Sequence, residues 1–175
     1  MKKISLIPLA LVLLFVWAGS TWSRSLEIDA SQVAVIKPSA QSTETRLLLQ
    51  FTLPEVLTKH PIDFACVSFG VNAAGDEGRV SFQAFPLTTA WDARTVSWTT
   101  HWEKDGGDWN GRLSAYEISE AGSGKSVNLD ITDFANSWRK DSSTNLGIIV
   151  KVSGPFRGTF VLDEAQGTAK LRVLY

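Results

Sequence analysis

Apolar and polar residues alternate with a period of two along much of this chain. Segment 79–85 (RVSFQAF) sets Val80, Phe82 and Ala84 on one face and polar neighbours on the other, the pattern of a strand with one side buried. Further runs of β-forming residues occur at 31–37 (SQVAVIK), 45–51 (TRLLLQF), 65–71 (ACVSFGV), 95–98 (TVSW), 126–131 (SVNLDI), 146–152 (LGIIVKV), 158–162 (GTFVL) and 170–174 (KLRVL). Turn-rich pieces such as 72–78 and 121–124 separate them, as Gly, Asn and Ser clusters do between strands. Nine short strands at this spacing predict an all-β chain folded as an antiparallel β-sandwich.

One segment departs from that period. Asp130-Ile131-Thr132-Asp133 precedes Phe134, Ala135, Trp138 and Arg139. Thr132 is placed to cap a helix, and Asp133 to complement the positive end of its dipole. Phe134 and Trp138 stand four residues apart, so a short helix presents both rings on one face and closes an end of the sandwich by burying them. No linker, repeat or low-complexity tract interrupts 24–175, which reads as one domain.

The first residues follow a different rule. Lys2 and Lys3 precede an almost wholly apolar run at 4–18, and Ala18-Gly19-Ser20 supplies the small residues of a signal-peptidase site. Segment 1–20 is therefore expected to be a secretory signal, with cleavage as late as residue 23, and the protein to be secreted or extracytoplasmic. The run is short of the roughly 20 residues that span a bilayer. The competing reading is an uncleaved N-terminal anchor with Trp17 and Trp22 at the interface. Removing 1–20 takes the net charge from −1 to −3.

Composition narrows the chemistry. With 44% hydrophobic and 20% charged residues in 175, the chain falls outside the disordered, collagen-like and coiled-coil classes. A net charge of −1 with mixed signs offers no basic field for a phosphate backbone, which argues against nucleic acid as a partner. The single Cys66 allows no intrachain disulfide, and it forms no zinc-site spacing with His60 and His101, so a bound metal would need oxygen ligands. Among the 18 acidic residues, Asp92, Glu103, Asp163 and Glu164 could serve a glycosidase only if two of them faced each other. No Gly-x-Ser-x-Gly elbow is present, Cys66 in a strand reads as a buried inert thiol, and both His read as loop residues. The expectation is that the protein is not an enzyme.

Four blocks follow one another in a recognisable order: TRLLLQFTLP, AWDARTVSWTTHWEKDGGDWN, VNLDITDFANSWRKDSSTNLGIIVKV and FVLDEAQGTAKLRVLY. Over about 31–175 this arrangement resembles the DNRLRE domain family. The most specific part is Trp91, Thr95-Val96 and Trp98, then Gly106-Gly107-Asp108, LDITDF, and a Trp before NLGIIVK. The resemblance implies a secreted β-sandwich of jelly-roll type, counted among carbohydrate-binding modules and without a catalytic role.

Four of the seven Trp, at 91, 98, 102 and 109, fall in this stretch. Trp rings stack on the axial C–H groups of sugars, which makes the cluster a candidate polysaccharide site. Trp98 alternates with Val96 in the expected strand and reads as core, with Trp91 packed beneath the same loop. Trp102 and Trp109 flank the polar loop 103–108 (EKDGGD), so one or both rings are expected to be exposed for a ligand. Lys104, Asp108 and Arg112 would supply hydrogen bonds, and the two cations could meet a uronate carboxylate. Asp105 and Asp108 around the two Gly are hard-oxygen candidates for Ca²⁺, although the pattern is not an EF-hand and a solvated turn is the plainer reading; no other cofactor is expected. Partners are thus a polysaccharide or cell-surface glycan, or alternatively an envelope protein gripped by a structural or adhesive module.

Overall fold

The computed structural model describes residues 23–42, 44–72, 79–100, 102–112, 114–120, 123–154, 159–161 and 169–175. The signal segment at 1–20 lies outside these, as do His101, Asp163 and Glu164. In chain order the elements are β1 (Ser25–Asp29), β2 (Gln32–Ile36), β3 (Arg46–Gln50), α1 (Glu55–Thr58), β4 (Phe64–Asn72), β5 (Arg79–Pro86), β6 (Ala115–Glu120), β7 (Ser123–Asp130), α2 (Thr132–Lys140), a 3-10 turn at Ser142–Thr144, β8 (Ile148–Ser153), β9 (Thr159–Val161) and β10 (Lys170–Leu174). Among the described residues no helix is long and apolar enough to cross a membrane.

The strands form two five-stranded sheets in which all pairs are antiparallel, so the chain is an all-β sandwich with one helix of more than a turn. Sheet A runs β1-β10-β4-β7, with β9 on β4 where β10 leaves off. Sheet B runs β2-β3-β8-β5-β6. The period-two pattern sends Val67 and Phe69 of β4, Leu171 and Val173 of β10, Leu47 and Leu49 of β3, and Val80 and Phe82 of β5 into the space between the sheets. There Phe69 meets Phe82 edge-on at 6.1 Å, joining the two layers. Each such ring contributes roughly 1.5–3 kcal/mol by leaving water.

The helix forms where expected and buries Phe134 and Trp138, both 3% exposed. Its capping differs. Ile131 holds the cap position, while the Asp130 carboxylate accepts from the Thr132 amide (3.0 Å) and hydroxyl (2.6 Å). The Thr132 hydroxyl oxygen accepts in turn from the Ala65 amide at 2.9 Å, so Thr132 pins the helix to β4 instead of capping it. Asn136 adds a second tie, donating to the Ile62 carbonyl at 2.8 Å.

The strand expected at 95–98 does not form. The Asp92 carbonyl accepts from the amides of Thr95 (3.1 Å) and Val96 (2.9 Å), and the Asp92 carboxylate accepts from the Arg94 amide (2.8 Å). These local bonds take the donors that a ladder would need, so turn chemistry overrides the β propensity of Thr and Val. The described residues of 87–112 instead cross the outer face of sheet B and cover Leu48, Phe85 and Ile149, which point away from the inter-sheet core yet are buried. The molecule thus has a third layer over one sheet.

Candidate functional site

The covering segment is fastened chiefly by side chain to backbone contacts. Its ends meet in a single bridge, Leu87 to Trp109. Trp91 is buried, and its indole N–H donates to the Leu146 carbonyl at 3.0 Å. Trp98, expected to be core by strand alternation, is half-buried because its ring lies beneath the Arg46 guanidinium, 4.3 Å from the ring centroid. Arg46 sits on the outer face of β3, only 7% exposed, and also lies 5.3 Å from the Trp109 ring. It donates to the Gly106 carbonyl at 2.5 Å and to Glu44 at 2.6 Å, while its Nε has no hydrogen-bond partner among the described residues. Leaving that N–H dry costs about 1–3 kcal/mol, offset by the charged hydrogen bonds and the two π faces.

Gly106 and Gly107 are buried under this arrangement, contrary to the expectation of a freely solvated 103–108 loop. Their φ angles are +86° and +114°. A Cβ on Gly106 would come within 2.8 Å of the Trp98 ring, and one on Gly107 within 2.8 Å of the Ile149 side chain. The pair is therefore explained by close approach to sheet B. Their backbone groups find partners despite burial: the Gly106 amide donates to the Trp98 carbonyl at 2.6 Å.

The tip of the loop is organised by Asp108. Its carboxylate accepts from the amides of Glu103 (2.8 Å) and Lys104 (3.0 Å) and from the Thr89 hydroxyl (3.0 Å). Burial pulls this carboxyl upward, but the three donors and the Lys104 charge prevail and hold it below the usual aspartate range. Asp105 is exposed, and an ion at Asp105 and Asp108 would have to displace those donors. Among the described residues no three His, Cys, Asp or Glu side chains gather to hold a metal.

Of the expected ligand residues, the fold brings Trp109, Lys104 and Asp108 together. They line an open cleft of about 380 Å³ with Thr88, Glu103 and the backbone of Gly107 and Gly111. Trp109 is half-buried, leaning on Phe85 at 5.8 Å beneath the Lys151 ammonium at 4.7 Å. Burial and the neighbouring Arg46 charge hold Lys151 below the usual lysine range, against the opposing pull of Glu44. Trp102 and Arg112 do not line the cleft. Trp102 is half-buried and turned inward, donating to the Ser97 carbonyl at 2.8 Å, whereas Arg112 is exposed. Thr88 and Glu103 are the lining side chains the sequence reading omitted from the ligand set. For Thr88 the only cue was a polar residue just beyond a strand.

Cys66 lies on the outer face of sheet A, in register with Arg172 on one side and Asp130 on the other, and is half-buried instead of fully buried. Burial raises its thiol pKa, the Ser68 hydrogen bond opposes this, and the Asp130 and Glu117 charges add to the rise. No family model matches this chain, and no curated protein matches it.

Proposed function

We propose that the protein is a secreted, non-catalytic module of the DNRLRE type, jelly-roll in connectivity, that binds polysaccharide at or outside the cell surface through the cleft beside Trp109. The observation that carries this reading is the convergence of an aromatic ring, an exposed cation and hydroxyl and carboxylate groups in one open cleft. Lys151 and Arg46 stand over the Trp109 ring, so its remaining exposed part offers apolar contact to sugar C–H groups while Thr88, Glu103 and Lys104 offer hydrogen bonds to hydroxyls. The cleft is also preorganised, since the positive-φ glycines and the Asp108 bonds fix its wall before a ligand arrives, which lowers the ordering cost of binding.

Affinity electrophoresis against neutral, uronate and amino-sugar polymers tests it. Retardation by at least one class is expected, and Lys104→Ala should weaken it without lowering the melting temperature, because Lys104 is exposed. Absence of retardation in every gel would overturn the proposal.

A second reading, a structural or adhesive module gripping a protein partner, is favoured by exposed charges on the outer face of sheet A. There Glu27 pairs with Lys170 at 2.6 Å and Arg172 at 3.4 Å across the strands. Stoichiometric recovery of an envelope protein by cross-linking, abolished by charge reversal at Arg172, would replace the glycan reading with this one.

A further inference from the structure

We infer that the cleft beside Trp109 is one end of a longer groove that takes a linear, neutral glycan across three consecutive depressions. The inference rests on the glycan reading above and adds ligand length and charge to it. Two further hollows lie in sequence beside the cleft, each sharing a lining residue with its neighbour. The middle one, of about 380 Å³, lies between the turn after β5 and helix α2, with Leu87, Trp138 and Leu146 as an apolar floor and Thr88, Asn110 and Ser137 on the polar rim. The far one, of about 300 Å³, lies between the start of α2 and β6, where Tyr116 is 58% exposed beside Asp133.

Single residues join them. Thr88 lines both the cleft and the middle hollow, and Phe134 lines both the middle and the far hollow. The wall they share is fixed: the Thr88 amide donates to the Asp108 carbonyl at 3.0 Å and the Asn110 amide to the Pro86 carbonyl at 2.9 Å. Each hollow alone is at the small end of ligand sites, whereas the joined run suits an extended chain. An apolar floor with hydroxyl and amide groups on the rim matches a sugar chain, which presents C–H faces inward and hydroxyls at its edges.

Charge selects among glycans. The charged side chains that line the run are Lys104 against Glu103, Asp108, Asp130 and Asp133, and with Lys151 and Arg46 over the Trp109 ring counted as well the negative charges still outnumber the positive. A polyuronate would set its carboxylates along a lining with an excess of negative charge, which disfavours it relative to a neutral chain.

Titration calorimetry with bioses and hexaoses of the cello-, xylo- and laminari- series, and with a hexauronate, tests this directly. The expected result is that a neutral hexaose binds about tenfold or more tighter than its biose, since each added subsite is engaged intramolecularly. Ser137→Trp and, separately, Ser143→Trp fill the middle hollow from two walls of exposed residues. Either should erase the gain from length while leaving biose affinity unchanged, and Ser137→Trp should also leave the melting temperature unchanged, whereas Ser143→Trp gives up the hydroxyl bond to Asp141 (2.7 Å). Equal affinity for biose and hexaose, or a length gain that survives in a folded variant, would overturn the groove and leave the glycan reading standing. Tighter binding of the hexauronate would overturn the neutral preference. Failure of every oligosaccharide to bind the unaltered protein would overturn the glycan reading and the groove together.

Discussion

The two hydrophobic cores of this protein are built by different physics. The core between the sheets is aliphatic and phenylalanine-rich, and its positions follow from strand alternation once the ladders pair. The core outside sheet B contains the indoles of Trp91, Trp98, Trp102 and Trp109 and is covered by a segment that is not a strand. Its cover is held by an arginine between two rings, two positive-φ glycines and carbonyls that accept from indole N–H groups. Alternation tolerates substitution of similar bulk, whereas the cover depends on particular donors meeting particular acceptors. The sandwich should therefore set global stability and the cover should set the site.

Substitutions can break that division in order of severity. Phe82→Ala, in the inter-sheet core at 1% exposure, should cost about 3–5 kcal/mol in denaturant unfolding. A loss below 1 kcal/mol would remove the inter-sheet core from its leading role. Gly106→Val adds a β-branched side chain at φ +86° against Trp98, and backbone strain alone costs about 1–3 kcal/mol. Amide exchange should accelerate across 103–109 while β4 and β7 stay protected. Uniform acceleration would mean that the cover and the sandwich are one cooperative unit.

Asp108→Asn should be milder, about 1 kcal/mol or less, because the group is partly exposed and its hydrogen bonds are screened. Since the folded pKa of Asp108 is lowered, its stabilisation is present above the ordinary aspartate pKa and is lost as pH falls through the lower folded value. Melting curves of the variant should thus lose part of the acid dependence of the parent below about pH 4. Parallel acid profiles would contradict the role given to Asp108. The smallest effect is expected for Lys104→Ala, within about 0.5 kcal/mol of the parent, as befits an exposed side chain in the cleft.

Much of the sandwich was legible because burial of one face writes itself as alternation. Eight of the nine expected strands exist, from 79–85 with its clean period to the brief run at 158–162. β1 and β6 are sheet edges that the pattern does not single out: β1 alternates Leu26 and Ile28 with charges over only five residues just before 31–37, and β6 opens Ala115-Tyr116-Glu117 without a clean period. The four-residue α1, which buries Leu57, carried too few positions for a helical period to show. The third layer also left a trace: Leu47-Leu48-Leu49 and Ile148-Ile149-Val150 are unbroken apolar runs, the mark of strands buried on both sides. Arg46 beside the first run is the charge that the cover encloses. What remained illegible was the direction of each ring, since Trp102 and Trp109 flank the same loop but only Trp109 lines the cleft. That difference is decided by the Ser97 carbonyl and the Phe85 ring, partners set by the tertiary structure.

The bond from Arg46 to Gly106 also bears on the order of folding. It joins residues 60 apart in sequence, whereas Ala84 and Ala115 at the root of the same excursion are 31 apart. Closing the shorter loop costs less entropy, and pairing β5 with β6 draws the ends of the segment together before its tip must find Arg46. The tip of the segment then docks on Arg46 after its root has paired, and a chain whose segment is undocked would carry no binding site.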